Sequence, residues 1–317
     1  MDLNSGFLLK HLNEPLHLRP MPAEMVTFKE CGNITEIIYS QKRHRVGLIK
    51  KLDKNTYVDT RDGEVKVFKH HDNRLDDTKS VRRSLSDGRD MINANIVDPR
   101  KWLMITLTYA ENMTDPKKLY NDFKNFWHKK FCVAYPTAYK YIQAVEPQGR
   151  GAWHCHLLAG FSDIPPFISN DVVRDMWGHG FVKVKKMNNV DNVGAYLSAY
   201  LADLPIDDAE RLNLVKEGKI IDADTLDDDG KTIKKKFVKG ARMSLYPSGM
   251  HIFRWSRNCD KPKRSRILSV HANRKVEGQT LVFENTTVFE KETDGFSNIV
   301  NKRCYNKLRK EAKSDNN

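Results

Sequence analysis

Two histidines separated by a single residue are the part of this sequence best suited to chemistry: His154 and His156 flank Cys155. Alternate side chains of a β-strand point to opposite faces, so both imidazoles would share one face. Trp153, Cys155 and Leu157 would then anchor the other face in a core. Two neutral imidazoles side by side can bind a divalent ion, but a solvated or hydrogen-bonded pair has the same spacing. The spacing alone leaves both interpretations open.

The strand before the histidines offers a third candidate ligand. Residues 139–146 have strand character, and the loop 147–151 contains one Pro and two Gly that can turn the chain straight back. Such a hairpin can bring Glu146 near His154 and His156. An ion held by these three side chains would polarise a phosphodiester oxygen and offset the charge that develops on phosphorus.

Two tyrosines downstream could supply a nucleophile. Residues 189–204 are predicted to be helical, and Tyr196 and Tyr200 are four positions apart. Residues i and i+4 are neighbours on a helix, so the two phenols would project from one face. A phenol that attacks a polarised phosphate can displace the 3′ oxygen of DNA and leave a 5′-phosphotyrosine. The second phenol could repeat the attack while the first is esterified.

The composition indicates a polyanionic partner. The 317 residues contain 54 Lys and Arg against 41 Asp and Glu, a formal charge of +13, which favours nucleic acid or an acidic membrane surface. Five scattered cysteines without a C-x-x-C pair predict neither a disulfide framework nor a zinc ribbon, and they fit a reducing cytosol. No secretory signal and no apolar run of membrane-spanning length is visible. We therefore expect a cytoplasmic protein without a membrane.

Several basic side chains are candidates for DNA contacts, although each could equally belong to a solvated face. Residues 78–96 predict a helix in which Arg82 and Arg83 lie largely off the apolar side. Arg150 lies in the hairpin loop, and Lys183 and Lys185 lie on one side of an alternating strand. Residues 231–266 interleave further cations with aromatic rings, a pattern typical of nucleic-acid grooves.

The pattern of elements predicts an α+β fold, with an antiparallel sheet and helices packed against it. We expect an N-terminal basic region at 1–95, a catalytic core at 96–205 and an acidic loop or linker at 206–230. The basic region 231–317 would complete the domain or bind DNA, and its last seventeen residues predict a helix or a frayed tail.

Three motifs in order resemble those of a known superfamily. The apolar strand 105–109, His154-Cys155-His156 and Tyr196-x-x-x-Tyr200 resemble the motifs of HUH endonucleases, in the branch of rolling-circle replication initiators (Rep proteins). Segments 84–95, 177–180 and 239–247 look like Rep proteins of Gram-positive plasmids and related mobile elements. The resemblance therefore extends over roughly residues 40–265.

The resemblance implies a ferredoxin-like, RRM-like core and a site for Mg²⁺ or Mn²⁺ at His154, His156 and Glu146. Tyr196 and Tyr200 match the nucleophiles, and which of them attacks first stays open. It also implies nicking and rejoining of one strand of single-stranded or supercoiled origin DNA, which leaves a 3′-OH primer. A host helicase and DNA polymerase would be partners, because no G-x-x-x-x-G-K-[ST] motif predicts a fused helicase.

The sequence departs from the family pattern at one position and leaves other functions open. A lysine often precedes the second tyrosine, whereas this chain has Ala199 there; Lys183 or Lys185 could substitute for it. The alternatives are a non-catalytic, sequence-specific DNA-binding regulator, an HUH transposase or mobilisation nuclease, and a metal hydrolase that uses water. Only the tyrosine enzymes would form a covalent DNA adduct.

Overall fold

The structure is a computed structural model that describes residues 8–10, 18–42, 48–68, 74, 77–187, 203–217, 219–226, 232–291 and 296–309. The fold is α+β, as predicted, and each strand pair among these residues is antiparallel. The chain forms two compact units. One consists of Met1–His71 and Lys263–Asn317, and the other of Asp72–Pro262.

The first unit contains a six-stranded sheet and a smaller three-stranded sheet. The six strands, in spatial order, are β1 (Leu8–Lys10), β16 (Thr280–Lys291), β17 (Phe296–Asn306), β3 (Ile34–Ser40), β2 (Met25–Cys31) and β15 (Lys263–Leu268). The smaller sheet consists of β4 (Ile49–Lys51), β5 (Thr56–Asp59) and β6 (Val65–Val67). Helix α5 (Ser269–Lys275) covers one face of the larger sheet, where its Ala272 packs with Phe28 and Ile37.

The second unit is built on a five-stranded sheet whose middle strand carries the two histidines. In spatial order its strands are β10 (Val182–Lys186), β7 (Trp102–Thr108), β9 (Trp153–Phe161), β8 (Ala138–Pro147) and β14 (Phe253–Trp255). A three-stranded sheet of the same unit consists of β11 (Leu204–Pro205), β13 (Thr232–Val238) and β12 (Ile220–Leu226). The hairpin of β8 and β9 and the strand β7 confirm the predicted strands at these places.

The helices of the second unit begin at side-chain caps that can be read in the sequence. They are α1 (Thr78–Asn95), α2 (Pro116–Asn125), α3 (Asn170–Trp177) and α4 (Ile206–Arg211). A π-helical segment, Phe126–Phe131, and a single turn, Cys132–Ala134, extend α2. Short 3₁₀ segments lie at Pro99–Lys101, Val215–Glu217 and Ala241–Leu245.

Asp115 shows how such a cap works. Its carboxylate accepts a hydrogen bond from the amide of Lys117, and Pro116 occupies the first helical position, where no amide hydrogen is needed. Downstream in this helical segment, Phe123, Phe126 and Trp127 are buried against the sheet. These aromatic rings therefore belong to the core and do not serve as stacking platforms for a ligand.

The structure differs from the sequence-based expectations at two places. The acidic stretch 206–230 is not an irregular linker in its described part, because it forms α4 and β12. The final residues were expected to be a helix or a tail, but 301–306 belong to β17, which pairs with both β3 and β16. Residues separated by more than 250 positions make the pairs with β3, so no local pattern announces them.

The two units also divide the chain at other places than the predicted domain ranges. Helix α1 belongs to the same unit as the histidine strands, since Gly88 packs directly against Phe253 of β14. Strand β15 pairs instead with β2 of the first unit.

Candidate functional site

The two histidines lie on the central strand of the five-stranded sheet and share one face with the ends of its neighbours. His154 is directly opposite Glu146 of β8 and Thr108 of β7, and His156 is opposite Thr106 of β7. Directly paired residues of an antiparallel sheet point to the same face. The β8–β9 hairpin therefore brings Glu146 to the imidazoles, as the sequence predicted.

The opposite face of the same strand anchors it in the core. Cys155 and Leu157 are 1% and 0% exposed, and burial of a leucine side chain stabilises a fold by about 1.5–3 kcal/mol. Gln143 of β8 donates to Sγ of Cys155 at 3.1 Å, and the indole of Trp153 donates to the carbonyl of Thr114 at 2.8 Å. These contacts prevent a register shift that would turn the histidines into the core.

The three side chains are close enough to share one ion. One ligand atom from each of Glu146, His154 and His156 lies within 4.8 Å of the other two. Nε2 of His156 is 3.4 Å from Oε1 of Glu146, and the two imidazole centroids are 4.7 Å apart. Ligand atoms about 2.1 Å from one ion at right angles are separated by about 3 Å, so modest closure would complete a site.

The chemistry of the donors also fits a metal. Nε2 of His154 and Nδ1 of His156 are buried and have no hydrogen-bond partner within the described part of the chain. An unpaired buried polar atom destabilises a fold by about 1–3 kcal/mol, and such atoms cluster where a ligand or ion is bound. A carboxylate beside two imidazoles provides the mixed N and O set that divalent metals accept.

Arg242 balances the charge of Glu146. Its Nη1 is 3.3 Å from Oε1 of Glu146, and the two side chains are 9% and 16% exposed. Burial acts to raise the pKa of Glu146, but the charge of Arg242 and the contact with His156 outweigh it and hold that pKa well below its usual range. Burial, followed by the neighbouring charge of His156, lowers the pKa of His154 to about 4. Near neutral pH the site therefore holds an ionised carboxylate and a neutral His154 imidazole, the forms that bind metals.

Arg242 also joins two segments that are distant in the sequence. Its Nε donates to the carbonyl of Asp203 at 2.9 Å, and its Nη1 donates to the carbonyl of Pro147 at 3.0 Å. The nearby Tyr246 donates to the carbonyl of Val145 at 2.7 Å. Both carbonyls that flank Glu146 are thus held by one short segment. Sequence reasoning missed this role, although the segment 239–247 had been singled out for its resemblance to Rep proteins.

The predicted nucleophiles Tyr196 and Tyr200 lie outside the described residues. The description resumes at Asp203, which is buried. Its Oδ1 accepts from the amide of Gly240 at 2.8 Å and its carbonyl accepts from Arg242. The residue three positions after Tyr200 is therefore tied to the side chain that contacts Glu146.

The predicted DNA contacts fall into three groups. Lys183 and Lys185 pair with Thr106 and Met104 of β7, so they point to the same face as the histidines. Arg82 and Arg83 are exposed on α1, as expected of residues off its apolar side. In contrast, the guanidinium of Arg150 is engaged within the protein and donates to two backbone carbonyls and to Gln148.

Comparison with known proteins gives one match. Residues 102–204, about a third of the chain, match the family model of the replication-associated protein ORF2. No curated protein and no solved structure matches the chain. The match supports a replication initiator of the Rep type and covers both β8 and β9, whereas Arg242 lies beyond it. None of the described helices is long and apolar enough to cross a bilayer.

Proposed function

We propose that the protein initiates rolling-circle replication by nicking and rejoining one strand of origin DNA through a 5′-phosphotyrosine intermediate. The observation that carries this proposal is the set of ligand atoms from Glu146, His154 and His156 within 4.8 Å of one another, on a segment that matches a replication-associated family. The arrangement resembles the catalytic core of HUH nucleases.

Glu146, His154 and His156 would hold Mg²⁺ or Mn²⁺. The bound ion supplies a Lewis acid that polarises a non-bridging phosphate oxygen. Glu146 contributes the charged ligand, which Arg242 keeps ionised, and the two imidazoles contribute neutral nitrogen ligands. Because Arg242 partly offsets the carboxylate charge, the site retains a net attraction for phosphate once the ion is bound.

The phenol of Tyr196 or Tyr200 would act as the nucleophile. Its oxygen forms a bond to phosphorus while the bond from phosphorus to the 3′ oxygen breaks. The phenol loses its proton and the departing 3′ oxygen gains one, which leaves a 3′-OH primer. The phosphotyrosine ester conserves the energy of the broken bond, so the reverse attack by a 3′-OH rejoins the strand. A second phenol permits a second transfer before the first ester is released.

Lys183 and Lys185 are suited to guide the DNA backbone. They lie on the edge strand of the sheet, on the face that carries the histidines. Cations along an exposed edge can follow successive phosphates toward the ion. Single-stranded or supercoiled origin DNA is accordingly the proposed substrate, and a host helicase and DNA polymerase would extend the primer.

The test is the formation of a covalent adduct. The protein is incubated with single-stranded oligonucleotides that tile a candidate origin, in the presence of Mn²⁺, and resolved on a denaturing gel. We expect a shifted species that is absent in EDTA and absent after the double substitution Tyr196→Phe and Tyr200→Phe. Tyr139→Phe, which removes an exposed phenol of the same unit, serves as the matched control and should form the adduct normally.

Each alternative predicts a different gel. A DNA-binding regulator would shift native gels without cleavage, and a metal hydrolase would cleave without an adduct. A transposase or mobilisation nuclease would join the bound strand to unrelated ends instead of reclosing the origin. An adduct formed by the double tyrosine variant would refute the assignment of the nucleophiles, and full activity in EDTA would refute the metal site.

A further inference from the structure

A chain of hydrogen bonds connects the loop between β8 and β9 to one histidine of the site. Arg150 donates through Nη1 to the carbonyl of Ala110 at 3.0 Å and through Nη2 to the carbonyl of Tyr109. Its Nε donates to Oε1 of Gln148 at 3.1 Å. The amide nitrogen of Gln148 is in turn 3.2 Å from Nδ1 of His154. The guanidinium is thus fixed by backbone before it reaches Gln148.

The donors and acceptors of this chain determine the direction of the Gln148 amide. A guanidinium can only donate hydrogen bonds, so the amide atom that faces Arg150 must be the carbonyl oxygen. The amide nitrogen consequently faces Nδ1 of His154 and donates to it. A neutral imidazole that accepts at Nδ1 carries its hydrogen on Nε2. That Nε2 is buried and has no partner among the residues that the structure describes.

This arrangement opposes the use of His154 as a metal ligand through Nε2. A ligating Nε2 needs its lone pair, and the ring then carries its hydrogen on Nδ1, which must donate to an acceptor. The nearest group to Nδ1 is the Gln148 amide nitrogen, itself a donor. Oγ1 of Thr108, at 3.4 Å, is the other polar atom beside Nδ1. Two N–H groups would therefore face each other unless Gln148 changes its orientation.

We propose that Gln148, oriented by Arg150, is a positioning residue that selects which nitrogen of His154 carries the proton. The inference rests on the metal site of the proposed function. When Nε2 of His154 becomes a ligand, the Gln148 amide turns over so that its oxygen accepts from Nδ1. This rotation breaks the bond between Arg150 and Gln148, so the loop of residues 148–151 responds to occupancy of the site.

The substitution Gln148→Glu makes the proposal testable with a definite sign. A carboxylate can accept from Nε of Arg150 and from Nδ1 of His154 at once, so no rotation is needed. Histidine ligands backed by a carboxylate are common, and changes to such partners alter metal affinity about 10- to 100-fold. We expect the dissociation constant for Mn²⁺ to fall about tenfold or more in the full chain without DNA.

A matched control separates this effect from simple attraction of a cation. Asn112 is exposed and lies beside Gly151 of the same loop. Asn112→Asp adds the same charge nearby without touching His154, and we expect it to change the dissociation constant less than about threefold, as for a screened surface charge. Binding is measured by titrating each protein with Mn²⁺ and following free Mn²⁺ by electron paramagnetic resonance.

The outcomes distinguish the inference from the function on which it rests. If the unsubstituted protein binds no Mn²⁺, the proposed metal site fails. If it binds Mn²⁺ and Gln148→Glu binds no more tightly than Asn112→Asp, the role of Gln148 is overturned while the metal site stands. A gain of about tenfold confined to Gln148→Glu supports both.

Nuclear magnetic resonance offers a measurement that needs no substitution at Gln148. Long-range ¹H–¹⁵N spectra of histidine distinguish hydrogen on Nδ1 from hydrogen on Nε2, and a His154→Gln sample assigns the signals. We expect His154 to carry its hydrogen on Nε2 without metal and on Nδ1 at saturating Mg²⁺. An Nδ1 hydrogen in the metal-free protein would overturn the proposal.

Discussion

Replacing Arg242 by methionine removes the cation beside Glu146 while it keeps an unbranched side chain of comparable length. The guanidinium contacts Oε1 of Glu146 at 3.3 Å and donates to the carbonyls of Asp203 and Pro147 at 2.9 and 3.0 Å. Methionine fills much of the space but offers no donor. The variant therefore leaves one carboxylate and two carbonyls without this partner.

The expected loss of stability follows from these contacts. Breaking a buried ion pair from one side destabilises a protein by about 3–5 kcal/mol, because the remaining charge is unpaired. Glu146 remains 16% exposed, so water can reach it and the lower part of that range applies to the charge. The two carbonyls add about 1 kcal/mol or more each. We expect Arg242→Met to lower the free energy of unfolding by about 3–5 kcal/mol.

Urea unfolding in EDTA, followed by tryptophan fluorescence, measures this loss. Arg257 is exposed in the same unit, and Arg257→Met should change stability by less than about 0.5 kcal/mol. The double variant Glu146→Gln and Arg242→Met should be more stable than the sum of the single effects predicts, by about 1–2 kcal/mol, because no charge is left unpaired. A loss below about 1 kcal/mol for Arg242→Met, or additive effects in the cycle, would refute the reasoning.

Two further predictions concern the packing of α1 and the larger sheet. Gly88→Ala gains about 1 kcal/mol of helix propensity, but the new Cβ would lie 2.3 Å from Cδ2 of Phe253, so we expect a net loss of about 1–3 kcal/mol; an unchanged or higher melting temperature contradicts this. Burial acts to raise the pKa of Glu36, but the charges of Lys29 and Lys302 outweigh it and keep that pKa below its usual range. Its contribution is therefore present above about pH 4.5 and lost as the pH falls toward the folded-state pKa. The stability difference between the native protein and Glu36→Gln should shrink between about pH 5 and pH 3 in urea titrations, and a constant difference would speak against the ion pair.

Much of the site could be read from local patterns. The alternation of His154 and His156 with buried neighbours follows from strand geometry, and the Pro and Gly residues of the loop predict the hairpin that brings Glu146 to them. The limits of α1 and α2 follow from caps such as Asp115. These features depend on residues within a few positions of one another, where steric rules and hydrophobic periodicity act directly.

Other features arise only when distant segments meet. Arg242 reaches Glu146 from almost a hundred positions away, and nothing in its own neighbourhood announces that contact. The pairing of β10 with β7 places Lys183 on the histidine face, and Arg150, expected to contact DNA, is bonded to backbone carbonyls instead. Such contacts are chosen by which sheet edges and buried charges must be satisfied across the whole unit. The sequence by itself therefore determined the ligands of the candidate site, and the tertiary structure decided what orients and neutralises them.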